Sequence, residues 1–298
     1  MIHVIHAGNR ALYENELDQL FSLRAKFFKD LLGWSALKVV DGREFDEYDD
    51  QQAIYLLAIE DDGDISVSVR LRPTRDKSLL MDHFPHLLAG DASSITKTDV
   101  WESCRYFAGS RARGPKGARR REELRLAMIE LARQRGVSRI VAITDTTFLP
   151  ALVQGSWTTR LMGLPALYDE GECIAVEISC SDEAHLRMQE RLGVHRDVVL
   201  DLQPGIFPPS LPPHEIQRLI AAQPLSAREL AEIIQMANTL DRGDAQTLAN
   251  IVTRLSEIQD GEGEAAAFNA IDSLGAVLTP NNTPQRTRAR LTLVDRQQ

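Results

Sequence analysis

The alternation of apolar and polar positions changes period several times along the first two hundred residues, and each change marks an element. "IHVIHA" (2–7) alternates as a strand does. Residues 14–32 then place Leu17, Leu20, Phe21 and Phe28 at helical spacing until Gly33 stops the run. "AIYLLAIE" (53–60) and "DISVSVRLR" (64–72) read as two strands of a hairpin joined by "DDGD". "VWESCRYFA" (100–108) predicts a further strand. From Arg119 to Arg135 the apolar positions Leu124, Ala127, Met128 and Leu131 repeat with helical period, and Gly136 closes that helix. "RIVAIT" (139–144) and "CIAVEIS" (173–179) follow as strands. Strands with helices before and between them predict an α/β sandwich.

The pattern changes after residue 201. "QPGIFPPSLPP" (203–213) contains five prolines, which suit a stiff linker and neither a sheet interior nor a helix. Beyond it the periodicity is purely helical. Ser226 and Glu229 form a capping box for a helix to about Leu240, Asp244 can cap a second to about Gln259, and a third spans about Glu264 to Val277. The expected organisation is a main domain over 1–202, a proline-rich linker over 203–213, a small helical appendage over 214–278 and a disordered tail over 279–298.

Composition narrows the function. A chain of 298 residues with 43% hydrophobic and 26% charged residues can bury a real core. Its formal charge of −9 argues against a general nucleic-acid binder. Cys104, Cys173 and Cys180 include no CxxC pair, so no metal site is expected, and the odd count suits reduced thiols in a cytoplasmic protein. The opening "MIHVIHAGNR" has no signal-peptide pattern and no apolar run is long enough for a membrane span.

Candidate chemistry concentrates between residues 24 and 105. Period two puts Ile65, Val67, Val69 and Leu71 on one face of their strand and Ser66, Ser68, Arg70 and Arg72 on the other, where serines beside arginines leave room. Asp46 and Asp49 lie in the acidic run "DGREFDEYDD" before the hairpin, and Glu102 lies on a later strand, all able to meet Arg70. Glu102 and Arg105 fall on opposite faces of a regular strand, so they share one cavity only if the strand is bulged there. In "RAKFFKDLLGW", Arg24 and Phe28 are one helical turn apart and Trp34 follows the Gly33 stop.

Arg24, Phe28, Trp34, Asp46, Asp49, Arg70, Phe84, Glu102 and Arg105, with the strings "LGW", "EFDEYD", "RLRPT" and "WESCR", resemble the acyl-homoserine-lactone synthases, the autoinducer synthases of bacterial quorum sensing. The resemblance covers about residues 1–195 and is densest over 24–105. One departure is Cys104, where the family usually has Ser or Thr. The resemblance implies a three-layer α/β/α sandwich like that of the GNAT N-acetyltransferases, carrying the C-terminal all-helical appendage described above. It implies two substrates, S-adenosylmethionine and an acyl thioester on acyl carrier protein or CoA, and no separate cofactor. Arg24, Phe28 and Trp34 would hold S-adenosylmethionine. Glu102 would relay a proton from its amine, Asp46 and Asp49 would orient the ammonium, and Arg70 and Arg105 would hold these acids. Phe84 and Thr144 would meet the acyl chain, with the Thr144 hydroxyl favouring a 3-oxo group.

"RARGPKGARRREELR" (111–125) has seven basic residues against two acids, so Arg111, Arg113, Lys116, Arg119, Arg120 and Arg121 are the expected docking patch for an acidic carrier protein. The same segment half-resembles the phosphate loop of the N-acetyltransferases, with Lys116 where Gly or Ala is wanted. Two alternatives therefore stand beside the synthase: an N-acetyltransferase using acetyl-CoA, and a non-catalytic regulatory binding module.

Overall fold

The hairpin expected at residues 53–72 forms the middle of a mixed sheet. The computed structural model describes residues 1–153, 157–204 and 212–221. In chain order the strands are β1 (Ile2–Ile5), β2 (Val39–Val40), β3 (Arg43–Glu44), β4 (Ile54–Ile59), β5 (Ile65–Pro73), β6 (Val100–Ala108), β7 (Arg139–Asp145), β8 (Thr159–Leu161), β9 (Ala166–Tyr168), β10 (Gly171–Ser179) and β11 (Val199–Leu200). The helices are α1 (Glu14–Arg24), α2 (Leu79–His83), α3 (Gly114–Gln134), α4 (Leu149–Val153), α5 (Asp182–Leu192) and α6 (Pro213–Ala221). The main sheet runs β11-β1-β4-β5-β6-β7-β10-β8, with β9 also paired to β10; β2 and β3 form a separate small hairpin. The β1–β11 and β6–β7 pairs are parallel and the others antiparallel.

Alternation along the strands builds two cores. Val4, Leu56, Val67, Val69 and Leu71 meet Leu124, Met128 and Leu131 of α3 and Met188 of α5. On the other face Ile5, Tyr55, Leu57 and Ile59 meet Tyr13, Leu20 and Phe28. The result is the expected α/β/α sandwich. One residue changes sides: Ala58 pairs with Val67 but Ile59 pairs with Ile65, so the strand bulges at Ser66 and Ile65 joins the α1-side core, away from Val67.

The α1 helix continues as a π-helical segment, Ala25–Leu31, and ends at Gly33, whose φ of +73° is the left-handed conformation that glycine adopts without strain. Helix α3 starts at Gly114, earlier than its apolar period indicates. Gly117 is required in its first turn, because a Cβ there would overlap the Ala112 carbonyl group.

Helix α6 packs on the main domain. Ile216 and Ile220 join the α1-side core, His3 Nε2 lies 3.1 Å from Gln217 Oε1, and Gln217 Nε2 donates to Ile59 O at 3.1 Å. The rest of the expected appendage (222–278) and the tail (279–298) lie outside the described residues. No helix among the described residues is long and apolar enough to cross a membrane.

Two irregularities open the sheet. β6 pairs with β7 only from Val100 to Ser103, after which the two strands part and β7 continues against β10 alone. On its other side, Ser68 pairs with Phe107 and Arg70 with Cys104, so Arg105 and Tyr106 together oppose Val69. This is the bulge that the Glu102 and Arg105 spacing demanded, and Arg105 sits in it at φ +54°.

Candidate active site

Three arginines and three acids close a buried ring beside the bulge. Arg24 donates to Glu44 from Nε (2.6 Å) and to both Asp49 oxygens (2.7 and 2.9 Å). Arg70 donates to both Asp46 oxygens (2.5 and 3.0 Å), with Asp49 Oδ1 at 2.8 Å. Arg105 grips Glu44 through Nη2 at 2.8 Å, with Asp46 Oδ2 also at 2.8 Å. Asp49 takes further hydrogen bonds from Tyr55 Oη (2.9 Å) and Asp46 N (2.8 Å). Burial opposes the Arg24 charge, but Asp49 and Glu44 overturn it and raise its pKa; burial likewise opposes ionisation of Asp49, yet Arg24 and Arg70 hold it well below the usual carboxylate range. Buried pairs repay desolvation only when every donor and acceptor is met, and here the ring's carboxylates bridge from arginine to arginine.

Glu44, Asp46 and Arg105 of the ring form the back wall of a cavity of about 690 Å³. Trp34, Asp46, Phe84, Glu102, Cys104 and Arg105 line it, as do Glu44, Tyr48, Ile143, Asp145, Tyr168, Glu170 and Cys173. Its wall carries six carboxylates, from Glu44, Asp46, Glu47, Glu102, Asp145 and Glu170, against the permanent cations Lys38 and Arg105; Arg24, Arg70 and Lys77 neutralise Glu44, Asp46 and Glu47 from behind, which leaves Glu102, Asp145 and Glu170 in excess over Lys38. The Trp34 ring stacks on Phe28 with centroids 4.9 Å apart, and the Arg105 guanidinium lies over both rings at 5.9 and 5.7 Å. Cys104 Sγ accepts from Arg70 Nε at 3.2 Å.

Glu102 is buried and anchors α2. Its Oε1 accepts from Ser78 Oγ (3.1 Å) and Leu80 N (2.7 Å), and its Oε2 accepts from Leu79 N (2.8 Å). A carboxylate offers about four acceptor sites, which leaves one on Oε2. Burial pushes the Glu102 carboxyl above the ordinary range, against the lowering pull of those donors and of Arg70.

Several expected site residues are placed differently. Arg24, Phe28, Asp49 and Arg70 do not line the cavity; they stand behind it and fix the residues that do. Arg24 and Phe28, expected to hold S-adenosylmethionine, reach the cavity here through Glu44, Trp34 and Arg105, which they fix. Thr144 is also outside the wall: β7 contributes Ile143 and Asp145, and the alternate residue Thr144 faces the opposite side, its hydroxyl 3.3 Å from Asp145 O. Thr144, expected to meet the acyl chain, therefore lies on the side of the sheet away from this cavity.

The basic segment is largely neutralised. Arg111 pairs with Asp62 and Asp64, Arg119 with Glu123, and Arg120 with Glu60 and Glu123, while Arg121 donates to Ala112 O. Arg113 and Lys116 are exposed and have no carboxylate partner among the described residues.

Glu44 is the ring member the sequence reading passed over. It joins Arg24 to Arg105 and sits two residues before Asp46 on an extended segment, a spacing that puts both carboxylates on one face. Asp145, Tyr168 and Glu170 were missed as well. Tyr168 Oη donates to Asp145 Oδ2 at 3.2 Å, and Glu170 accepts from Ser35 N at 2.7 Å, tying the Trp34 loop to the far wall.

Comparison with known proteins matches residues 9–188 to the autoinducer synthase family. An isovaleryl-homoserine lactone synthase of Bradyrhizobium diazoefficiens is 33% identical over 194 residues, covering 65% of this chain and 86% of that protein. The solved structure of a CoA-dependent acyl-homoserine lactone synthase, BjaI, with SAM and isopentyl-CoA superposes with a TM-score of 0.62 at 33% identity, over 68% of this chain and 94% of that one. A second CoA-dependent acyl-homoserine lactone synthase, MesI, gives 0.58 at 26% identity, over 67% and 98%. With the family model spanning well over half of the sequence, the chain belongs to the autoinducer synthase family.

Proposed function

We propose that the protein acylates the α-amine of S-adenosylmethionine from an acyl-CoA and closes the product to an N-acyl-homoserine lactone, releasing methylthioadenosine. The observation that carries this reading is the acid-rich cavity beside Trp34, backed by the closed ring. A sulfonium and an ammonium are both favoured by its excess of carboxylates, and an aromatic face suits adenine or the sulfonium. BjaI, whose structure holds SAM and isopentyl-CoA, supports CoA as the carrier. So does the internal pairing of Arg111, Arg119 and Arg120, which leaves little charge to recruit an acidic carrier protein.

The chemistry needs a neutral amine, and an α-amino group has a reference pKa near ~8. Asp46 is the ring acid open to the cavity, its side chain 20% exposed against 4% for Asp49, and it orients the ammonium. Glu102 takes the proton, directly or through a water, on the acceptor site that Leu79 leaves open. Its raised pKa brings it closer to the amine and makes it a better base than an ordinary carboxylate. The amine nitrogen attacks the thioester carbonyl where β6 has left β7 and its edge N–H groups have no strand partner; they face the developing oxyanion. The thiolate departs and takes up the second amine proton as the adduct collapses, and Glu102 returns the first to solvent. The methionine carboxylate then attacks Cγ and the sulfonium leaves as a neutral thioether, a step that needs placement more than acid–base help.

The test is incubation of purified protein with S-adenosylmethionine and a series of acyl-CoAs, with mass spectrometry of both products. Methylthioadenosine and lactone should appear together in equal amounts. CoA release without methylthioadenosine would sink the reading in favour of a simple N-acyltransferase.

A further inference from the structure

Helix α6 (Pro213–Ala221) lies beyond residue 188, where the match to the family ends, and the proposed reaction gives it no role. Pro213, Ile216, Gln217 and Ile220 are buried, the spacing of a helix that lays one face on a core. That face is held at three places. Ile216 and Ile220 enter the α1-side core, which also contains Leu20, Phe28 and Tyr55. His214 lies against the turn between β4 and β5, where a Cβ on Gly63 would come within 3.4 Å of its ring. Gln217 reaches the first strand and the first helix through a chain of hydrogen bonds.

The polarity of that chain is fixed by what each atom can do. Ile59 O only accepts, so Gln217 turns Nε2 to it at 3.1 Å and presents Oε1 to His3 Nε2, also at 3.1 Å. Oε1 only accepts in its turn, which puts the proton of the neutral imidazole on Nε2 and leaves Nδ1 to accept from Tyr13 Oη at 3.2 Å. Burial keeps that ring neutral, its pKa pushed down to about 3. Tyr13 immediately precedes α1, and its carbonyl accepts from Leu17 N in the first turn. Lifting α6 would strip His3 Nε2 and Ile59 O of these partners and open the core in which α1 is seated. Helix α1 runs without a break into the π-helical segment that carries Phe28, and Trp34 of the cavity wall stacks on Phe28. Packed side chains and a continuous helix therefore join α6 to that wall, with docked and released α6 as the two states that a ligand at the wall can tell apart.

We propose that α6 is an intramolecular clasp: docked on β1, β4 and α1, it holds the Phe28 and Trp34 wall of the cavity in place and so sets the affinity for S-adenosylmethionine. This rests on the reading of the cavity given above. The clasp is a positioning element and takes no part in bond making.

The test uses the full chain. Ile216→Asp with Ile220→Asp puts two charges into the core and releases α6, and calorimetric titration then reads S-adenosylmethionine and CoA separately. CoA is the control, because α3, with the exposed Arg113 and Lys116 at its start, packs on the opposite core. S-adenosylmethionine should bind about tenfold more weakly than to the wild type, and CoA should change by less than about twofold. Hydrogen exchange reads the clasp without any ligand: residues 25–34 should lose protection while α3 keeps it. Gln217→Leu, which keeps an apolar side chain in the same seat, should show that pattern more mildly, with exchange of residues 25–34 about fivefold faster. Equal weakening of both ligands, or exchange that rises in α3 as much as in residues 25–34 in both variants, would make α6 a general support of the fold and overturn the clasp. Unchanged affinity for S-adenosylmethionine in the double variant would overturn it as well. A wild type that binds no S-adenosylmethionine would instead remove the reading of the cavity, and the clasp would then stand or fall on the exchange of residues 25–34.

Discussion

Arginine is set to two different uses in this molecule. In the ring, Arg24 and Arg70 are almost wholly buried, and they stay charged because Glu44, Asp46 and Asp49 surround them. At the start of α3, Arg111 and Arg119 make pairs of the same kind half in water, where each is worth little. The sequence shows a dense cluster of charges in both places. Burial separates them: the ring is rigid because breaking it strands a charge, and the α3 segment is adjustable because water replaces any partner it loses.

The sharpest way to break that contrast is to remove one arginine from each region. Arg70→Met leaves Asp46 and Asp49 short of their counter-charge and should cost about 3–5 kcal/mol of stability, read as a fall in Tm, with methylthioadenosine release down by at least ~1,000-fold. Arg70→Lys, which restores a charge but not the two-pronged geometry, should recover more Tm than turnover. Arg119→Met should move stability by less than about 0.5 kcal/mol. Similar Tm losses for Arg70→Met and Arg119→Met would erase the distinction.

Glu102 gives the next largest effect. Glu102→Gln should lower turnover at least ~100-fold if this carboxylate takes the proton. The substitution is not structurally silent, since both oxygens accept N–H or O–H bonds and an amide nitrogen would face a donor. Ser78→Ala is the control: it loosens the same anchor while sparing the base, and should cost less than about threefold in turnover. A Ser78→Ala loss as large as that of Glu102→Gln would make Glu102 a support for α2.

How much of this could be read beforehand depended on whether a signal was periodic. The hairpin, the helix stop at Gly33 and the strand at 100–108 follow local rules, and the need for a bulge between Glu102 and Arg105 was legible because alternation forbade the alternative. The bulge at Ser66 was not legible, since Ile65 is as apolar as the residues it parts from. Glu44 was hidden in an acidic run that also suits a solvated loop, and its role needs Arg105, sixty-one residues away. Asp145 was passed over at the end of the strand read at 139–144, and Tyr168 and Glu170 come from a short strand and a turn with no pattern; the pairing of β7, β9 and β10 brings all three to the site. The side of the sheet that Thr144 faces was not legible, because strand register decides it.

The acids should also part under titration. Asp49 has a depressed pKa in the folded state, so its contribution to stability is present above the ordinary carboxylate value near ~4 and is lost as pH falls through its folded value. Glu102 has a raised one, so its contribution is full below the ordinary value and declines as pH rises toward the folded value, while activity needs the ionised form. Activity should therefore fall on the acid side at a pH above the ordinary carboxylate range, where the ring still holds the fold. Parallel Tm and kcat profiles check this, and an acid limb of kcat that coincides with unfolding would contradict it.

The smallest effect belongs to the exposed end of the basic segment, and it bears on which carrier brings the acyl group. Arg113 and Lys116 flank the start of α3, where backbone N–H groups also point outward, and neither has a carboxylate partner among the described residues. Reversing Arg111 or Arg120 would break internal pairs with Asp62, Asp64 or Glu60 and confuse docking with folding. Arg113→Glu with Lys116→Glu avoids that. With an acyl-CoA donor, whose phosphates are few and compact, the double reversal should raise KM about threefold at low salt and leave KM for S-adenosylmethionine unchanged. The effect should fade as ionic strength rises and the Debye length shrinks below ~10 Å. With an acyl carrier protein, whose acidic face is extended, the same change should matter tenfold or more if that protein is the true donor, because steering grows with the number of charges in play. Assaying both donors side by side compares the two outcomes directly, and a larger effect on the carrier protein than on CoA, at comparable kcat, would return the α3 segment to the docking role that its composition first indicated.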